Sequence, residues 1–175
     1  MDAGDVQEVR IGWCDAIDEA VRRLGRFMCW TNAVLIGVII VQVVLRYGFG
    51  HGLVALEELE WHLYALGIMF GISYAMAENS HIRVDILHMR FSRRTRAFWE
   101  VFGIVVFLVP FIVVVFDHSL DFVYDAWRIG ERSDAPSGLP YRWIIKGVIP
   151  VSFALLGLTT LTRFARSVAE LFRKT

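Results

Sequence analysis

Long apolar runs separated by short charged segments dominate the chain. Four stand out, at about residues 27–45, 59–77, 98–116 and 143–161. Each approaches the roughly 20 residues that a helix needs to cross a hydrocarbon core. None has an ionisable side chain in its middle third. Lipid offers no partner for backbone N–H and C=O groups, so a span is either a helix or part of a closed barrel. Barrel strands alternate apolar and polar residues, and these runs do not. The pattern predicts an all-α membrane protein with four transmembrane helices, forming a single domain over residues 1–175.

Ahead of the first span, residues 11–26 follow a period near 3.6. Trp13, Ile17, Ala20, Val21 and Leu24 form an apolar face, and Asp15, Asp18, Glu19, Arg22, Arg23 and Arg26 form the other. Two readings fit: a helix lying on the inner membrane surface and running into the first span, or a surface helix docked on a partner. Asp2, Asp5, Glu8 and Asp15 precede any apolar core, unlike a signal peptide, so the first span is expected to be retained. Between spans two and three, Ser80–Leu87 is amphipathic. Its alternation suits a strand, while Ile82, Ile86 and Met89 suit a helix face, and periodicity does not decide. Either way it is expected to lie along the inner interface.

Composition agrees with a membrane protein. Hydrophobic residues make up 56% of the chain, against about 45–50% in soluble domains, and the mean hydropathy is +0.51. The formal net charge is zero, so nothing suggests a nucleic-acid partner. The placement of charge carries more information. Arg10, Arg22, Arg23 and Arg26 precede the first span, and the first connection has only Arg46. Arg83, Arg90, Arg93, Arg94 and Arg96 fill the second connection, where anionic phospholipid headgroups suit them. In the third, Arg128, Arg132 and Arg142 are offset by Asp117, Asp121, Asp125, Glu131 and Asp134. Arg163, Arg166, Arg173 and Lys174 follow the fourth span. The positive-inside rule then places both termini and the middle connection in the cytoplasm. Trp30, Tyr47, Trp61, Trp99, Trp127, Tyr141 and Trp143 fall near span ends, where their rings favour the headgroup level. In the cytoplasm Cys14 and Cys29 are not expected to pair and read as packing residues.

Ala33-x-x-x-Gly37 and Gly67-x-x-x-Gly71-x-x-x-Ala75 form small-residue stripes that allow close helix approach. They put the second span in the middle of the bundle or against a partner. Pro110 and Pro150 each free a carbonyl four residues earlier and predict bends. Glu57, Glu58 and Glu60 complement the dipole at the start of the second span. They also offer an acidic surface to an extracytoplasmic partner. Asp117, Asp121 and Asp125 predict that the third helix continues past the membrane with one acidic face. The turn residues Ser133–Gly138 end it.

No P-loop, zinc-protease or nucleophile-elbow pattern is present, and no catalytic, substrate-binding or metal site is assigned. An autonomous transporter usually carries ionisable residues deep in its spans; here the acids sit at the ends. His62 and His118 raise one rival, axial ligation of a b-type haem in a membrane anchor.

Landmarks in order along the chain resemble the small membrane subunit, the DctQ-type small permease, of tripartite ATP-independent periplasmic (TRAP) transporters. They are Gln42–Tyr47, Glu57-Glu58-Leu59, Ala75–Asp85 with its His81-Ile82-Arg83-Val84-Asp85 core, Arg128–Ser133, Leu139–Trp143 and Pro150. The resemblance implies a scaffold subunit of a sodium-coupled secondary transporter for organic acids in the bacterial inner membrane. It implies a large many-helix partner subunit holding the substrate and sodium sites, and a periplasmic substrate-binding protein that this subunit helps to dock. It implies no cofactor in this chain. Arg46, His81, Arg83, Asp85 and Glu131 match the family pattern. With Glu57 and Glu58 they are the candidate structural or subunit-interface residues. Other readings stay open: a small homo-oligomeric transporter, the haem anchor, or a membrane adaptor with no transport role.

Overall fold

The computed structural model describes residues 11–78 and 92–172. Every regular element among them is helical: α1 Gly12–Gly48, α2 Val54–Ala77, α3 Arg93–Gly103, a π-helical turn Ile104–Leu108, α4 Val109–Arg128 and α5 Arg142–Phe172. Three helices are long and apolar enough to cross a membrane: α1, the continuous run Arg94–Arg128, and α5. The second expected span is the 24-residue helix α2, which is not among the three. Glu57, Glu58, Glu60 and His62 make its first turns too polar.

The amphipathic stretch 11–26 runs directly into the first span, as the first of its two readings has it. It is the first part of α1, an uninterrupted helix of 37 residues, roughly 55 Å long at 1.5 Å per residue. Its buried positions are Cys14, Asp18, Val21, Gly25 and, far along, Gln42. Trp13, expected inside, is half exposed, and Asp18, expected outside, is 2% exposed. The reason is charge pairing. Arg166 of α5 meets Asp18 at 2.7 Å, so the carboxylate enters the interface already neutralised.

The last helix, not the second, is central. α5 packs on every other helix, α1 packs on α2, and neither α1 nor α2 makes an extended contact with α4. A cluster of Met76, Ile112, Phe153 and Leu156 joins α2, α4 and α5, with Phe111 edge-on to Phe153 at 5.7 Å. Small hydroxyl residues let α5 come close to its neighbours. Ser152, Thr159, Thr160, Thr162 and Ser167 are all buried. Some of their hydroxyls are satisfied within α5: Thr160 donates to the Leu156 carbonyl at 2.7 Å and Ser152 to that of Ile149 at 2.9 Å. Ser73 of α2 donates across the interface to the Ser152 carbonyl at 2.9 Å.

The glycine stripes are only partly used. A Cβ on Gly67 would lie 2.9 Å from Asn32 Oδ1, so α1 and α2 do approach there. Gly37 and Gly71 face open space. The tightest approach of these two helices is at Gly25, where a Cβ would fall 2.6–2.8 Å from Tyr74. Cys14 is buried, whereas Cys29 is exposed and packs on nothing; both are free thiols.

Pro110 has a visible consequence. It offers no N–H and its ring crowds the carbonyl four residues back. The backbone widens into a π turn just ahead of it, with Val109 N–H donating to the Ile104 carbonyl. Pro150 is buried inside α5 without interrupting it. Beyond the apolar run, α4 continues as expected, with Asp117, Asp121 and Asp125 all exposed. It ends at Gly130, whose φ of +60° suits glycine. Gly130 N–H donates to the Trp127 carbonyl at 3.1 Å and Glu131 N–H to that of Ala126 at 2.9 Å, the paired bonds of a Schellman motif. Tyr141, with φ +62°, carries the same left-handed backbone at the entry to α5.

Candidate functional site

α1, α2, the continuous α3–α4 run and α5 alternate in direction, which gathers polar groups into two layers at opposite ends of an apolar bundle. The far layer holds the connections α1–α2 and α4–α5. Glu58 is its hub. Its carboxylate accepts from the Ser133 hydroxyl and from Leu139 N–H, the latter at 2.6 Å. A Cβ on Gly138 would run into Ser133 and lie 2.8 Å from Glu58 Oε1, so this position must stay bare. The Ser133 hydroxyl, then Leu139 N–H, hold the Glu58 carboxyl below the ordinary glutamate range. A depressed carboxyl stabilises the fold above its unfolded value and loses that contribution as pH falls through its folded value. Leu139 N–H is therefore expected to lose protection, measured against the intrinsic exchange rate at each pH, as pH falls below the ordinary glutamate range. Glu58→Gln should remove that pH dependence. Amide exchange followed against pH checks both.

Beside this hub, Gln42 pins the start of α2. Its Nε2 donates to the Leu53 carbonyl at 3.3 Å and to Glu57 at 3.2 Å, while Leu53 N–H donates to its Oε1 at 3.2 Å. Glu57 also meets Arg46 at 3.4 Å. Glu131 pairs with Lys146 of α5, whose ammonium sits 3.8 Å above the Phe122 ring. The loop is tied to the helix a second time by Arg142 N–H, which donates to the Glu131 carbonyl at 3.1 Å.

The near layer joins α1, α2, α3 and α5. Arg166 bridges Asp18 at 2.7 Å and Asp15 at 2.8 Å, and Thr162 donates its hydroxyl to Asp18 at 2.7 Å. Arg163 pairs with Glu100, which also accepts from Ser167 at 3.0 Å. Arg22 reaches the Ala77 carbonyl at the end of α2 at 3.4 Å. Between the layers the outer faces are apolar: Ile36, Ile40, Phe107, Phe111, Val113 and Val114 are all exposed.

Four of the seven residues singled out by sequence, Arg46, Glu57, Glu58 and Glu131, fall in the far layer. They bind one another's helices and loops rather than presenting a free acidic surface. His81, Arg83 and Asp85 lie outside the described residues. Sequence reasoning gave no role to Gln42, Lys146, Asp18 or Arg166. Gln42, a polar residue inside an apolar run, was the one readable signal. His62 and His118 stand on helices that make no extended contact. The ring of each bonds the carbonyl four residues back in its own helix, Glu58 and Val114 respectively.

Among the described residues the polar groups tie the bundle together, and the sequence matches a family model. Residues 35–170 fit the model described as the DctQ component of tripartite ATP-independent periplasmic transporters. The chain belongs to the DctQ family. The match covers the far layer and α5, including Gln42, Glu58, Gly130, Glu131 and Lys146, and begins well inside α1. A protein of Haemophilus influenzae named for a TRAP transporter small permease is 24% identical over 147 residues, covering 83% of this chain and 88% of its own length. No solved structure matches the chain. As a DctQ component it is a multi-pass membrane subunit of a TRAP transporter and not an enzyme.

Proposed function

We propose that this DctQ subunit is a four-span scaffold for the large membrane subunit of a sodium-coupled TRAP transporter for organic acids. The observation that carries the reading is the distribution of charge. Among the described residues, the charged side chains stand in the two end layers or, like Glu60, just inside them, and the layers are tied by internal pairs. A transport path would carry ionisable groups at midplane depth.

The alternation of direction supports four spans. α2 connects the far end of α1 to the near end of α3, beside helices that are themselves long enough to cross. Its 24 residues extend about 36 Å, more than the roughly 30 Å of hydrocarbon. The basic residues favour the near layer on the cytoplasmic side of the bacterial inner membrane. The far layer then faces the periplasm. There the exposed row Asp117, Asp121 and Asp125 is a better docking surface for the substrate-binding protein than Glu57 and Glu58, which are already engaged. Substrate and sodium are held by the large subunit, and this chain carries no cofactor.

Reconstitution tests the reading. Proteoliposomes holding this chain with its large subunit and binding protein are expected to take up an organic acid in response to a sodium gradient. Liposomes with this chain alone should take up none. Asp121→Lys with Asp125→Lys should lower uptake while the membrane complex still assembles. Uptake by this chain alone would overturn the scaffold reading in favour of an autonomous transporter.

A further inference from the structure

On the outside of the α1–α2 hairpin lies a groove of about 340 Å³ lined by Leu35, Ile39, Glu60, Trp61 and Tyr64. Its walls are aliphatic and aromatic, and its one ionisable group is Glu60. The Glu60 Oε1 atom is closed to water and has no hydrogen-bond partner among the described residues. The neighbouring glutamates differ: Glu57 is held by Gln42 and Arg46, and Glu58 by Ser133 and Leu139. A carboxylate oxygen shut off from water and left unpaired is costly. The groove opens sideways, toward whatever lies beside the subunit, and Trp61 and Tyr64 stand at its rim 71% and 52% exposed.

From this geometry we infer that the groove receives a basic side chain, arginine or lysine, from a transmembrane helix of the large subunit. The inference rests on the scaffold reading and gives it a contact point. The chemistry of the site fits such a side chain. A carboxylate answers the cation, aromatic faces attract it, and Leu35 and Ile39 take up its aliphatic stem. A lipid amine fits less well. Glu60 lies one helical turn below the layer of Gln42, Arg46 and Glu57, at the start of the apolar run. In a phospholipid the amine is the outermost group. An amine at Glu60 would therefore draw its phosphate down against Leu35 and Tyr64, where no cation waits.

The test uses this chain co-expressed with its tagged large subunit. Glu60→Lys, Glu60→Gln and, as a control, Asp117→Lys are compared with the unaltered chain, and the quantity read is the fraction retained on the tagged partner in detergent. Glu60→Lys is expected to weaken retention at least about tenfold, the scale of breaking a desolvated charge pair. Glu60→Gln should weaken it less, and Asp117→Lys not at all. Thermal unfolding of each variant without the partner separates a binding loss from a folding loss. Reversing one basic residue of the large subunit should restore Glu60→Lys, which a merely structural role would not allow. Normal retention of Glu60→Lys would overturn the inference. So would normal retention accompanied by loss of bound phosphatidylethanolamine in native mass spectrometry, which would assign the groove to lipid. If the unaltered chain captured no large subunit, the scaffold reading itself would fall.

Discussion

Arg166→Met is expected to be the most damaging single change described here, lowering stability by about 3–5 kcal/mol. Asp18 is 2% exposed, with Arg166 at 2.7 Å and the Thr162 hydroxyl at 2.7 Å. Removing the guanidinium leaves a buried carboxylate with one neutral donor. The pair itself adds little, because desolvation offsets much of its attraction. Asp18→Leu combined with Arg166→Met should therefore recover most of the loss, while Asp15, half exposed, is left to water. Thermal unfolding in detergent of the two single variants and the double variant checks this. Equal losses in the single and double variants would show that Arg166 stabilises through its other contacts.

Gly25→Leu is the second large effect. Even a Cβ at this position would fall 2.6–2.8 Å from Tyr74, with both the ring and its Cβ in the way. Because Tyr74 Cβ is part of the obstruction, a rotamer change does not clear it, and α1 must move off α2. Overpacking of this kind costs typically 1–3 kcal/mol, and a full leucine should reach about 3 kcal/mol. Gly71→Leu, by contrast, faces open space and should leave the melting temperature of the isolated chain unchanged. The pair of measurements distinguishes a glycine used inside this bundle from one facing outward.

These two sites also show what could be read from sequence and what could not. The apolar runs placed the helices, because long apolar runs without charge in their middle thirds favour helices in lipid. The turn residues Ser133–Gly138 were expected to end α4, but it ends sooner, at Arg128, because Gly130 supplies a left-handed backbone. Asp18 was placed on the wrong face. Periodicity sorts residues by polarity alone, and the cation that neutralises Asp18 is 148 positions away in sequence. Small-residue spacing promised close packing along α2, yet only Gly67 of Gly67 and Gly71 is used, since a stripe does not say which helix it meets. The centrality of α5 was hidden for a related reason. Its Ser and Thr residues lower its hydropathy while permitting the close approach that makes it the hub. Glu57, Glu58 and Glu131 stand together in the far layer, but the partners that engage them, Gln42, Ser133, Leu139 and Lys146, are not paired with them by any spacing in the sequence.

The central claim, that this chain is a support for a larger transport subunit, is tested most directly by affinity purification. The chain is tagged at its C-terminus, expressed with its native gene neighbours, and solubilised gently. A much larger many-helix membrane protein recovered in fixed stoichiometry is the predicted result. A lone homo-oligomer that moves solute in liposomes would contradict it.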